Sequence, residues 1–241
     1  MKMSALKAGA WALGILAFSL LTTSCDPFGL KSTGELITLD FNEDDFSGLD
    51  LCVPADAEVR VGDSYKVEIT CEETAMPYVE TKVEDGVLKV YFSRNIRDVD
   101  NMKVVVTAPS WKYFDVSGSG EIVVLDSISG AKLFMDVSGS GSIKADEAYF
   151  DRVELEVSGS GELRLAGEGD KLEADVSGSG EIRCFDYVVN EADVDVSGSG
   201  NVQVHVLESL TAEISGSGDI VYKGNPAVNA KVSGSGSVRK Y

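Results

Sequence analysis

The tetrapeptide Ser-Gly-Ser-Gly recurs seven times, beginning at Ser117, Ser138, Ser158, Ser177, Ser197, Ser215 and Ser233, at intervals of 18 to 21 residues. A period near 20 residues marks a solenoid, in which each repeat is one supersecondary unit that buries its apolar face only by stacking on its neighbours. Residue parity around the tetrapeptide identifies the kind of solenoid. Val153, Leu155 and Val157 alternate with Glu154, Glu156 and Ser158, and the next copy repeats this with Leu172, Ala174 and Val176 against Glu173, Asp175 and Ser177. Strict period-two alternation over that length means strand rather than helix. The serines then face outward and the glycines inward, where the lack of a Cβ permits a tight corner against the rung below. The expected fold is all-β, a three-sided parallel β-helix with about 20 residues per rung. A leucine-rich repeat shares the period, but its LxxLxL and Asn signature is absent.

The chain divides into four stretches. Residues 1–24 read as a signal peptide, with Lys2 and Lys7 ahead of an apolar run, Ala8 to Leu21, too short to span a bilayer. The run ends in Leu21-Thr22-Thr23-Ser24-Cys25, which resembles a bacterial lipobox and would make Cys25 the lipid-bearing first residue of the mature chain; the alternative is an ordinary signal peptide with an incidental cysteine. Residues 25–45 read as a flexible tether, 46–114 as a β-rich part that lacks the tetrapeptide and caps the coil, and 115–241 as the repeat region. Asp85-Gly86 between two apolar runs signals a hairpin.

Loss of Lys2 and Lys7 leaves 19 basic against 40 acidic residues, a net of −21. That charge disfavours nucleic acid and anionic lipid and suits cations and basic surfaces. Cys184 occupies an inward slot and reads as a small buried hydrophobe. Cys52 and Cys71 lie on predicted strands in a chain bound for an oxidising compartment, so they either form a disulfide or are buried as two separate thiols. No CxxC or HxxxH spacing offers zinc ligands, and no GxSxG offers a nucleophile elbow. His205 is the single histidine, in an outward slot without a partner, and reads as a solvated strand residue.

The opening Phe46 to Leu51, the segment Val59 to Ile69, the hairpin Val83 to Val90 and the Val-Ser-Gly-Ser-Gly ladder together resemble the head GIN domain family of bacterial lipoproteins, over residues 46–241. The resemblance implies a right-handed β-helix and carries the family label "putative auto-transporter adhesin". It points to a non-catalytic lipoprotein of the cell envelope, tethered to the outer membrane and facing either the periplasm or the exterior. A glycan or a cell-surface protein is the expected partner.

The residue two before each tetrapeptide is Asp115, Asp136, Glu156, Asp175, Asp195, Glu213 and finally Lys231, so carboxylates should stack along one face. Rungs lie about 4.8 Å apart, where two like charges repel by roughly 1 kcal/mol in water. Splay into solvent, raised carboxyl pKa values, or calcium held by Asp136, Glu156, Asp175 and Asp195 would relieve this. Calcium is the only cofactor that the pattern suggests, and none is required. The enzyme alternative is a polysaccharide lyase, with a base drawn from the outward column Lys144, Arg164 and Arg183.

Overall fold

A computed structural model describes residues 29–241. The expected signal peptide and Cys25 lie outside the described residues. The first part comprises β1 (Leu30–Lys31), β2 (Leu36–Phe41), β3 (Gly48–Leu51), β4 (Asp56–Val61), β5 (Lys66–Glu72), β6 (Val79–Glu84), β7 (Val87–Phe92), β8 (Ile96–Arg97) and β9 (Lys103–Ala108). The repeats comprise β10 (Tyr113–Gly118), β11 (Glu121–Val124), β12 (Ile128–Gly139), β13 (Ser142–Gly159), β14 (Glu162–Gly178), β15 (Glu181–Gly198), β16 (Asn201–Gly216), β17 (Asp219–Lys223), β18 (Ala227–Gly234) and β19 (Ser237–Lys240). Among the described residues there is no α-helix, only a three-residue 3-10 turn at Met76–Tyr78.

The repeats form a parallel β-solenoid of about six turns. Each copy of the tetrapeptide stacks in register on the one before, so that Ser158 pairs with Ser138 and Ser177 with Ser158. In β13 the alternation of buried and exposed residues slips at Asp146-Glu147 and again at Asp151-Arg152, and the tetrapeptide supplies a third bend. These slips give the rung its sides. Inward residues such as Val153, Leu155 and Val157 have almost no exposure and join one continuous core. Cys184 is fully buried as expected, and burial pushes its thiol up to about 12.

At the corner the two glycines differ, which parity alone did not anticipate. In the copy at Ser177 only Gly180 is buried, in contact with Val157. Gly178 sits on the bend with φ +126°, and a Cβ there would stand 2.5 Å from the Gly159 carbonyl oxygen. That carbonyl instead accepts a hydrogen bond from the Ser179 amide at 2.8 Å.

The first part continues the coil and then closes it. β3 and β4 lie in register under β10 and β11, and β7 and β9 lie under β3 and β4, all parallel. Below them the sheet turns antiparallel through the β6–β7 hairpin and through β9–β5–β2. The hairpin turns at Asp85-Gly86 as expected, with φ of 52° and 77°. Trp111 fills the base, with its ring 5.8 Å from Phe46 and 5.6 Å from Phe114, and its Nε1 donates to the Arg60 carbonyl at 2.9 Å.

Two expectations are corrected here. Residues 30–41 are not a tether: β2 pairs with β5 over six residues, and the Ser32 hydroxyl donates to Glu72 at 2.9 Å in a buried contact. Alternating Leu36-Ile37-Thr38-Leu39 carried this strand signal beneath the surrounding acidic residues. Cys52 and Cys71 do not form a disulfide, since both are free thiols. Cys71 is buried on β5, which pairs with β2 and β9, whereas Cys52 follows β3, which pairs with β7 and β10. The Gly62-Asp63-Ser64 turn joins β4 to β5 and brings neither cysteine to the other.

Candidate functional site

The acidic column is present and longer than the tetrapeptides indicate. Asp50 of β3 lies in register with Asp115, which continues through Asp136, Glu156, Asp175, Asp195 and Glu213. A lysine closes each end. Lys89 of β7 pairs with Asp50 at 2.6 Å, and Lys231 of β18 with Glu213 at 3.1 Å. Beside the acids runs the serine column, and Cys52 holds the serine's place in the first rung: its thiol donates to Asp50 at 3.0 Å, as Ser117 does to Asp115 at 3.1 Å and Ser138 to Asp136 at 2.9 Å. Asp50 and Cys52 were missed because no Ser-Gly-Ser-Gly follows them; the matching signal is Leu49-Asp50-Leu51 set against Phe114-Asp115-Val116.

From Glu156 to Ser233 the two columns line an open groove of about 450 Å³ that ends at Lys231. The neighbouring outward column is different. Glu154 is paired by Lys132 at 2.6 Å and Arg152 at 3.0 Å, and Glu173 by Arg152 at 2.6 Å and Lys171 at 3.1 Å. Ion pairs therefore hold Glu154 and Glu173 in that column, whereas the groove has a lysine only at its end.

The pKa directions follow that contrast. Glu156 is raised by desolvation and then by the charges of Asp136 and Asp175. Asp175 is raised by desolvation, Asp195 and Asp193, and Asp115 by desolvation and Asp50. Asp195 is raised by desolvation, Asp193 and Glu213, with Lys231 opposing. Glu154 and Glu58 are instead lowered, by hydrogen bonds from Lys132 and from Lys103 respectively. A carboxyl raised in the folded state binds its proton more tightly there, so it costs stability at neutral pH and the cost fades as pH falls through the raised value. The lowered Glu58 and Glu154 act oppositely, and their contribution is lost as pH falls through their folded values. Stability should therefore rise on mild acidification from pH 7 and fall again below the ordinary carboxylate range. Glu156, Asp175 and Asp195 remain open to solvent, so Asp175→Asn should stabilise at pH 7 by only about 0.5 kcal/mol and abolish part of the acid rise. Urea unfolding at pH 5 and 7 checks both effects.

Among the described residues no three acidic, histidine or cysteine side chains converge on a point that could hold a metal ion. Asp136, Glu156, Asp175 and Asp195 stack one per rung rather than surrounding a centre. Millimolar calcium should accordingly raise the melting temperature no more than sodium chloride of matched ionic strength.

The proposed lyase bases are counter-charges in the structure. Lys144 pairs with Asp146 at 2.6 Å, Arg164 with Asp146 at 3.6 Å, and Arg183 with Glu162 at 3.0 Å and Glu181 at 2.8 Å. His205 is half-buried on β16 in register with Lys223.

These features define a β-solenoid scaffold that displays long in-register columns of side chains on its outer faces. The chain belongs to the family described as "Putative auto-transporter adhesin, head GIN domain", whose sequence profile matches residues 45–226. Among solved structures it is similar to a putative adhesin of Bacteroides fragilis NCTC 9343, at 20% identity with a TM-score of 0.83, over 88% of this chain and 100% of that one. It is also similar to a putative lipid binding protein of Parabacteroides distasonis ATCC 8503, at 25% identity and a TM-score of 0.75, over 88% and 99% of the two chains. A putative adhesin of Parabacteroides merdae ATCC 43184 shares 27% identity with a TM-score of 0.73 over the same shares. No curated protein sequence matches. The family and the Parabacteroides merdae neighbour support a binding role rather than a catalytic one, and the family suggests the cell envelope or surface.

Proposed function

We propose that this chain is a lipid-anchored, non-catalytic binding module of a bacterial cell envelope, which offers its acidic groove to a positively charged segment of a cell-surface partner. The observation that carries this reading is the run of in-register carboxylates from Asp50 to Glu213, half-buried as far as Asp136 and open to solvent beside the serines from Glu156 to Glu213, with lysines only at its ends. A repeat of one carboxylate about every 4.8 Å forms a continuous negative strip, which focuses field and speeds encounter with basic partners. A lyase reading is less well supported, because its candidate bases are each held by a carboxylate.

Titration with labelled hexalysine tests the groove. The triple variant Glu156→Gln, Asp175→Asn, Asp195→Asn should bind at least tenfold more weakly and with a smaller salt dependence, while Asp85→Asn at the hairpin turn should bind as wild type. Equal affinity of the triple variant and wild type contradicts the proposal.

The anchor has its own test. Among the described residues no helix is long and apolar enough to cross a membrane, and the lipobox-like run ending at Cys25 supports attachment by lipid. Cys25→Ser should leave the protein unprocessed or move it from the detergent phase to the aqueous phase. Wild-type partitioning of the variant contradicts this anchor.

A further inference from the structure

A second recess, of about 460 Å³, lies across rungs β13 to β16 on a side of the solenoid away from the groove. Its outward lining comes from Tyr149 and Glu168, which are in register, and from Asp151, Asp170, Asn190 and Leu207 on the four successive rungs, with a register shift between β15 and β16 at Asn190. Tyr149 and Leu207 are the apolar members, 44% and 48% exposed. They stand three rungs apart, about 14 Å.

Three observations give this recess a ligand chemistry. Tyr149 is flanked in register by Ser129 and Glu168, so no neighbouring ring covers its faces, in contrast to Tyr113, which stacks on Phe134 at 5.3 Å. Among the described residues Asp151 and Glu168 carry no hydrogen bond or ion pair, and Asp170 has only the Asn190 amide, which donates to it at 2.8 Å. Ionised carboxylates accept hydrogen bonds and donate none, so the centre of the recess asks for a ligand rich in donors. Finally, the floor cannot be filled by a side chain of its own rung. Gly169 pairs with Phe150, and a Cβ there would meet the Phe150 carbonyl and the phenol of Tyr187, which is buried beneath and donates to that carbonyl at 3.3 Å.

We propose that this recess is a carbohydrate-binding subsite for a neutral oligosaccharide. A sugar ring has an apolar C–H face that packs on an aromatic or aliphatic side chain and a rim of hydroxyls that donate to carboxylates. A pocket with apolar ends and a few polar groups between them matches both. A basic peptide would also satisfy the carboxylates and can lay a Lys or Arg stem on Tyr149, so hexalysine is titrated beside the sugars.

Calorimetric titration with cellohexaose, maltohexaose and mannohexaose tests the assignment in the wild type, in Tyr149→Ala, in Leu207→Asn and in the groove triple variant, all first shown to melt as folded proteins. At least one of the three sugars should bind. Tyr149→Ala should weaken it tenfold or more, Leu207→Asn should weaken it less, and the groove variant should bind it as wild type does. Failure of all three sugars to bind overturns the proposal, as does binding that survives Tyr149→Ala or is lost in the groove variant. Hexalysine binding that persists in the groove variant but disappears in Tyr149→Ala would make the recess a peptide site, and also overturns it. The groove reading is scored separately by hexalysine on the groove variant, so the two can fail independently.

Discussion

Gly178→Val should destabilise the protein by about 3–5 kcal/mol, with Ser177→Ala costing less than about 1 kcal/mol. Two costs add at Gly178. A branched residue at φ +126° is strained by itself, and its Cβ would lie 2.5 Å from the Gly159 carbonyl, which belongs to the backbone of the rung below and cannot swing aside. Ser177 points into solvent and packs against nothing that its hydroxyl alone holds. Urea unfolding of both variants measures the difference, read from the midpoint with an unchanged slope. Similar losses in the two would mean that the serine and glycine faces are inverted.

Trp111→Ala should cost a similar amount, about 3–5 kcal/mol. The ring is 1% exposed and bridges Phe46 and Phe114, so truncation leaves a cavity where the antiparallel base meets the first parallel rung. It also leaves the Arg60 carbonyl without its indole donor. Trp111→Phe retains the packing and loses the hydrogen bond, and should cost less than half as much. Loss should begin at the base, so amides of β4 and β9 should lose hydrogen-exchange protection before those of β14 and β15. Uniform loss of protection along the coil would contradict a local role for Trp111.

The repeated part of the fold was legible because each rung repeats one experiment: an inward Val, an outward acid and a glycine bend recur until chance is excluded. Register followed directly, since stacking Ser158 on Ser138 is the arrangement that buries both Val157 and Val137. The base was less legible because it is built once. β2 hid among acidic and turn-forming residues, and pairing of β5 with β9 rather than with β4 depends on contacts distant in sequence. Of the two readings left open for Cys52 and Cys71, separate thiols is the one found, because β3 pairs with β7 and β10 whereas β5 pairs with β2 and β9. In the site, the six carboxylates from Asp115 to Glu213 and the closing Lys231 were readable from the tetrapeptide, but Lys89, Asp50 and Cys52 emerged only with the stacking of β7 and β3. The second recess gave no sequence signal, because Tyr149, Asp170, Asn190 and Leu207 come from four rungs with different residues in each copy.

The most direct test of the stacked column is an NMR titration of the side-chain carboxyl carbons between pH 2 and pH 8. Asp115, Glu156, Asp175 and Asp195 should titrate above the ordinary carboxylate values of their types, while Glu58 and Glu154 titrate below. Ordinary values for all six would contradict an in-register acidic column with lysines only at its ends and remove the physical basis of the groove.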